Sequence, residues 1–125
     1  MEHRTKGQVE ALISEAIIKF EKEYMGRGPV ETKAYIIKDM VFIRLKGVLT
    51  PAEEQLAKSP EGSDLIKRTR MQLLEHGRVL LANMISSITN CQVQSLHTDI
   101  STKTGERVIV FTLDMNLEEM LPEKD

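Results

Sequence analysis

The sequence has little of what several protein classes depend on. None of its 125 residues is tryptophan, and aromatic residues make up only 4% of the chain. Cys91 is the single cysteine, so an internal disulfide is excluded and a reducing cytoplasm is the expected compartment. No apolar run approaches the roughly 18 residues that span a bilayer, so direct membrane insertion is not expected.

An excess of one charge sign is also missing. The formal net charge is only -2, which provides no global field for holding DNA or an anionic membrane. The densest basic run contains Lys67 and Arg68, and Arg78 follows on the same predicted helix. An RNA-binding adaptor stays a minor alternative, because no aromatic stacking set accompanies these charges.

The sequence also lacks a recognisable pattern of metal-ligating or catalytic residues. The histidines His3, His76 and His97 have no metal-ligand spacing, and a lone cysteine forms no Cys-x-x-Cys pattern. His97 and Asp99 share one strand face, where they could pair as a base and its orienting group, but a solvated strand face explains them equally well. The sequence therefore predicts no catalytic residues, no metal, no cofactor and no enzymatic activity.

Hydrophobic periodicity predicts a single α+β domain over residues 1–125, with frayed tails at 1–7 and 117–125. Helical spacing and strand alternation give the order α-β-β-α-α-β-β, which predicts a four-stranded antiparallel sheet with helices packed on one face. The predicted helices are 8–25, 50–58 and 63–89, and the predicted strands are 30–38, 40–49, 92–100 and 106–115.

The helix predicted at 63–89 has an unusually broad apolar face. Its apolar positions form one stripe that neighbouring leucines widen, and Gly77 in mid-helix indicates close packing there. A face this wide buries against more than one partner, such as the protein's own sheet plus another helix or a second subunit. We expect a homodimer.

The segment Thr50-Pro51-Ala52-Glu53 reads as a helix start. Thr50 suits the N-cap, proline suits the first helical position, and Glu53 stands where a capping-box carboxylate reaches back. Arg70 borders the apolar stripe of the following helix, and a half-buried arginine needs a carboxylate or carbonyl partner. We expect a structural ion pair between Arg70 and Glu53, within one chain or between two.

The turn Gly26-Arg27-Gly28-Pro29 ends the first helix. Its glycines and Arg27 could cradle an anion, although a helix stop leading into a strand explains the turn without a ligand. Arg27, Gly28 and Pro29 are therefore the candidate residues for binding a ligand or partner. A small-anion or nucleotide sensor is the alternative function that they offer.

Together these motifs resemble the bacterial MpsC family. The likeness rests on the Gly-Arg-Gly-Pro turn, the stretch Gly47-Val48-Leu49-Thr50-Pro51-Ala52-Glu53 and Arg70 in a long helix, and it covers nearly the whole chain. The resemblance implies a non-enzymatic component of a Na+-translocating, membrane-potential-generating system. It also implies a location at the inner face of the membrane through a partner subunit, and it adds importance to Arg27, Gly28, Pro29, Thr50, Glu53 and Arg70.

Overall fold

The computed structural model of the chain describes residues 4–123. The helices in this range are α1 (Lys6–Met25), α2 (Pro51–Leu56), α3 (Pro60–Thr89) and α4 (Leu117–Met120), and the strands are β1 (Glu31–Ile37), β2 (Met40–Lys46), β3 (Val93–Ser101) and β4 (Glu106–Leu113). The strands form one antiparallel sheet in the order β1-β2-β4-β3. The predicted α+β class and four-stranded antiparallel sheet are confirmed, and the predicted element order is followed by one further short helix, α4.

Strand alternation determines which face of the sheet meets the helices. In β2, Val41, Ile43 and Leu45 are fully buried, whereas Arg44 between them is exposed. Ile43 is in register with Ala34 and Ile109 on the neighbouring strands, and these also belong to the core. The core therefore lies between one face of the sheet and the layer of α1 and α3.

The broad apolar face of α3 meets both the sheet and α1. Gly77 is buried, and a Cβ atom built on it would lie 2.6 Å from the ring of Phe20 in α1. The glycine thus lets the two helices approach closely, as its place in mid-helix predicts. Because α1 and the sheet share this face, its width alone does not require a second subunit.

Helix α3 begins earlier than the sequence indicates. Ser59 is its N-cap and accepts the Gly62 backbone N–H at 3.0 Å, and Pro60 occupies the first helical position. The segment at 59–62, which lies between the two predicted helices 50–58 and 63–89, instead opens α3, because proline needs no N–H partner at the first helical position. Gly62 is required, since a Cβ atom would lie 1.9 Å from the Leu56 carbonyl oxygen.

The chain ends are packed where fraying was expected. Thr5 caps α1 and is buried, and the Lys6 N–H donates to the Pro122 carbonyl at 2.8 Å. Leu117 is also buried, so the described part of each tail belongs to the fold. Residues 1–3 and 124–125, which complete the two predicted tails, lie outside the described residues.

The β1–β2 turn has its positive φ at Lys38, at 55°. Asp39 beside it is the residue type that tolerates this conformation better. The Lys38 backbone N–H donates to the Glu118 carboxylate at 2.8 Å, and the Lys38 carbonyl accepts the Glu118 N–H at 3.1 Å. These two bonds from α4 hold Lys38 in its left-handed conformation.

Candidate functional site

Most of the residues singled out by the sequence meet around one irregular segment, residues 47–50 between β2 and α2. Strand β2 ends at Lys46 because Gly47 has φ +67°, which takes the following carbonyl groups out of the sheet. A backbone carbonyl that leaves a ladder and is buried needs another donor. Two arginines supply those donors.

Arg27 binds this segment from the α1–β1 turn. Its Nη2 donates to the Gly47 carbonyl at 3.4 Å, and its Nη1 donates to the Leu49 carbonyl at 3.3 Å. Its Nε donates to the Gly28 carbonyl at 3.4 Å. The guanidinium is therefore engaged with three backbone carbonyls, and this geometry favours a structural role for Arg27 over anion binding.

The turn itself places Arg27 there. Gly26 has φ +91°, which ends α1 in the left-handed conformation and sends the chain back towards the sheet. The Val30 backbone N–H then donates to the Lys46 carbonyl at 2.8 Å, which ties the turn to the end of β2. Gly28 and Pro29 are half-buried between these two points and complete the turn.

Arg70 binds the same segment from α3. Its Nη2 donates to the Glu53 carboxylate at 2.7 Å and to the Val48 carbonyl at 2.8 Å, and its Nε donates to Glu53 at 3.0 Å. The Arg70 side chain is buried, whereas that of Glu53 is a quarter exposed. The ion pair expected from the sequence is present within one chain.

Glu53 serves the cap and the ion pair together. The Thr50 backbone N–H donates to the Glu53 carboxylate at 2.9 Å, and the Glu53 N–H donates to the Thr50 hydroxyl at 3.1 Å. Burial alone would raise the pKa of Glu53, but the hydrogen bonds from Arg70 and Thr50 outweigh it, and the pKa is lowered. The carboxylate is thus held ionised against Arg70.

A second buried ion pair escaped the sequence interpretation. Arg107 in β4 and Glu21 in α1 are almost fully buried, with Nη1 of the arginine 3.6 Å from Oε2 of the glutamate. Burial raises the pKa of Glu21 and lowers that of Arg107, and each partner only partly offsets the effect on the other. Helical periodicity alone groups Glu21 with the polar side of α1, but the fold buries it. The sequence does hold one indication of this pair. Arg107 lies two residues before Ile109, so strand alternation places it on the buried, apolar face of β4.

The candidate acid–base residues lie on the exposed side of β3. His97 Nε2 lies 3.1 Å from the Ser95 hydroxyl, and the Asp99 carboxylate accepts the Ile100 backbone N–H at 2.9 Å. Cys91 is buried, and burial raises the pKa of its thiol, which favours the unreactive protonated form. Within residues 4–123, no three His, Cys, Asp or Glu side chains are grouped as metal ligands.

The basic residues considered for RNA binding each lie beside a carboxylate. The N–O distances are 3.9 Å for Lys67–Asp99, 3.1 Å for Arg68–Asp64 and 2.7 Å for Arg78–Glu75. Mixed charges of this kind do not make the positive surface that phosphate backbones require. The geometry therefore offers no support to the RNA alternative.

The face of the sheet turned away from α1 and α3, here called the outer sheet face, is the other notable surface. Its central row, in register across the four strands, is Tyr35, Phe42, Val110 and His97. The next row is Lys33, Arg44, Val108 and Asp99, and Arg44 forms an ion pair with Glu106. Tyr35 and Ile37 are more than two-fifths exposed. The surface is thus apolar at its centre, basic on the β1–β2 side and acidic on the β3–β4 side.

Comparison with known proteins decides the family. A family model described as "Na+-translocating membrane potential-generating system (MpsC)" matches residues 5–115, which is most of the chain. The chain belongs to the MpsC family. The resemblance drawn from the Gly-Arg-Gly-Pro turn, the Thr50 helix start and Arg70 is confirmed, and the MpsC match spans every residue that binds the segment 47–50.

Two Bacillus subtilis (strain 168) proteins are similar to this MpsC chain. "Uncharacterized protein YbcI" is 48% identical over 118 residues, which cover 94% of this chain and 95% of the relative. "Uncharacterized protein YrhF" is 25% identical over 108 residues, which cover 85% of this chain and 88% of the relative. No solved structure gives a significant match. Among the described residues, no helix combines the length and the apolar character needed to cross a membrane.

Proposed function

We propose that this chain is a non-enzymatic accessory protein of a Na+-translocating, membrane-potential-generating system. It acts as a homodimer that binds a membrane-embedded component of that system from the cytoplasmic side. The description of the MpsC family supports the system, and the outer sheet face supports an interaction protein. The outer sheet face is the observation that carries this proposal.

A sheet with helices on only one side leaves apolar side chains in water. On the outer sheet face, Tyr35 is 46% and Ile37 is 44% exposed, and Phe42 and Val110 beside them are half-buried. Contiguous exposed apolar surface with a polar border is typical of protein–protein interfaces. We infer that another protein surface covers this face.

The charge pattern favours a second copy of the chain as that surface. With the strand order β1-β2-β4-β3, a two-fold axis parallel to the strands places β1 of one copy on β3 of the other, and β2 on β4. Lys33 then faces Asp99 of the second copy, while Phe42 faces Val110 in the same way. Aligned face-to-face packing of sheets is a common arrangement, and it joins the apolar centres and opposite charges here.

A dimer of this form leaves the helical layer free for the membrane component. Leu65 and Val79 lie on the exposed side of α3, with exposures of 48% and 72%. They are separated by four helical turns, so they can contact a partner along the length of the helix. We propose this side of α3 as the docking surface for the membrane component.

Affinity purification tests the proposal. The tagged full-length chain is captured from gently solubilised native membranes, and the co-purifying proteins are identified by mass spectrometry. We expect a membrane-embedded ion-transport subunit with the unchanged chain and its loss with Val79→Glu, which puts a charge on the docking surface. Thr104→Glu, exposed in the β3–β4 turn, should leave recovery unchanged. Recovery of the chain alone, or equal recovery with Val79→Glu, contradicts the proposal.

A further inference from the structure

A small cavity lies between α3 and the edge strand β3. Its volume is about 130 Å³. Met71 and Ile100 contribute apolar walls, and the polar lining residues are Lys67, Thr98, Asp99 and Arg107. It is separate from the segment 47–50, and it shares only Asp99 with the dimer contact proposed above.

Arg107 lines this cavity, and its guanidinium is incompletely paired. The residue is only 2% exposed, and its Nε and Nη1 have no hydrogen-bond partner among the described residues. The carboxylate of Glu21 is 3.6 Å away, compared with 2.7 Å between Arg70 and Glu53. Leaving a buried charged donor unsatisfied is costly, so native proteins supply it with a partner, a water molecule or a ligand.

Lys67 places a second cation at the same cavity. Its side chain is half exposed, and its Nζ lies 3.9 Å from Asp99, which is itself 80% exposed. This separation is too long for a hydrogen bond. Arg107 and Lys67 therefore flank one cavity, and each is separated from its protein carboxylate by more than hydrogen-bond distance.

The size and lining of the cavity indicate what could satisfy both cations. One water molecule needs only about 10–15 Å³ of such space, so the cavity has room for a larger guest. A guanidinium N–H donates a strong, charge-assisted hydrogen bond to a carboxylate oxygen. Met71 and Ile100 offer apolar contact to a short hydrocarbon chain.

We propose that this cavity binds a small aliphatic carboxylate, with Arg107 holding the carboxylate group and Lys67 closing the entrance. The site differs from the one predicted on Arg27, whose donors are taken by backbone carbonyls. It goes beyond the accessory function and does not depend on it. A bound carboxylate oxygen also supplies an acceptor for the Nε–H of the buried Arg107, which has none among the described residues.

NMR titration of the full-length chain with propionate tests the site. We expect saturable shifts of the Arg107 Nε–Hε signal and of the backbone amides around Ile100. Lys67→Met should weaken binding about threefold, as a half-exposed charge contributes modestly. Arg107→Lys keeps the charge but loses the Nε–H donor, and we expect binding at least about tenfold weaker. Lys19→Met, which changes an exposed lysine on α1 away from the cavity, should bind propionate normally.

Several outcomes would overturn the site. The site would be excluded if the shifts do not saturate, or if sodium chloride at the same concentration reproduces them. Either result would show that propionate does not bind specifically beside Arg107. Equal binding of inorganic phosphate would replace the aliphatic carboxylate with a general anion. If Arg107→Lys loses its folded amide spectrum, Lys67→Met decides the matter, because that side chain is half exposed. Unchanged propionate binding by Lys67→Met would contradict the proposal.

Discussion

Two arginines hold three successive backbone carbonyls in this protein. Arg27 binds the carbonyls of Gly47 and Leu49, and Arg70 binds that of Val48 between them. The side chains of Val48 and Leu49 are buried in the core, so this irregular segment cannot move into water to satisfy its carbonyls. The arginines thus replace a missing strand partner and fix the path from β2 into α2.

Replacing Arg70 tests this role. Arg70→Met keeps an unbranched aliphatic stem but removes the guanidinium. Glu53 and the Val48 carbonyl are then left without their donor. We expect the free energy of unfolding to fall by about 3 kcal/mol, as when one partner of a buried pair is removed. Urea denaturation of the variant, followed by circular dichroism, measures the change.

Arg68→Met is the matched control for Arg70→Met. Arg68 lies one half-turn away on α3, and its ion pair with Asp64 has both side chains about two-thirds exposed. An exposed pair contributes at most about 1 kcal/mol, so the control should unfold close to the unchanged chain. Equal losses in the two variants would show that the buried contacts of Arg70 carry no special weight.

Side-chain pairing was predictable from the sequence only where residue spacing indicated it. Arg70 interrupts an apolar stripe and Glu53 completes a capping box, so their pairing could be proposed from spacing. The targets of Arg27 are backbone carbonyls, which no residue pattern marks. Glu21 lies next to Phe20 at the edge of the apolar face of α1, and only tertiary packing against Arg107 determines that it is buried.

At the scale of elements, periodicity predicted the helices and strands better than their limits. The alternation of Val41, Ile43 and Leu45 identified both strand and buried face. The start of α3 was misplaced because Ser59-Pro60 is compatible with a chain break and with an N-cap followed by proline. What decides between them is the approach of Gly62 to the Leu56 carbonyl, which is a contact between two helices.

The packing of α1 on α3 gives the element-scale prediction. Gly77→Ala improves intrinsic helix propensity by about 1 kcal/mol, but its Cβ atom would lie 2.6 and 2.7 Å from two ring atoms of Phe20. That ring stacks on Tyr24 with centroids 4.6 Å apart, which restricts its movement. We expect a net loss of about 1–2 kcal/mol in the free energy of unfolding, measured by urea denaturation.

Gly7→Ala is the matched control, because it is the same substitution in a helix at a position without steric conflict. Gly7 is exposed in the first turn of α1, and a Cβ atom there meets nothing within 4 Å. This variant should be as stable as the unchanged chain or more stable by up to about 1 kcal/mol. If Gly77→Ala were stabilised to the same extent, the close approach of α1 and α3 at Gly77 would be wrong.

At the scale of the whole molecule, the feature from which the sequence predicted a dimer does not require a second subunit in the observed fold. The broad face of α3 indicated a further partner, but α1 and the sheet cover most of it, although Leu65 and Leu80 stay exposed. The outer sheet face became visible only through the strand order, because β4 lies between β2 and β3. This order places the basic residues Lys33 and Arg44 on one side and Asp99 on the other.

A charge exchange across the outer sheet face tests the proposed dimer. Lys33→Glu and Asp99→Lys each place like charges opposite one another, and the two-fold axis makes each contact occur twice. We therefore expect the dissociation constant, measured by sedimentation velocity, to rise about tenfold in each single variant. The double variant restores opposite charges and should dimerise nearly as well as the unchanged chain.

Lys19→Glu on the exposed side of α1 makes the same charge change away from the outer sheet face, and it should have no effect. Additive losses in the Lys33→Glu, Asp99→Lys double variant would mean that these residues do not face each other. A monomer at high micromolar concentration for the unchanged chain would exclude the homodimer itself. The apolar centre around Phe42 would then require a different protein to cover it, because its exposure comes from the fold and does not depend on the dimer.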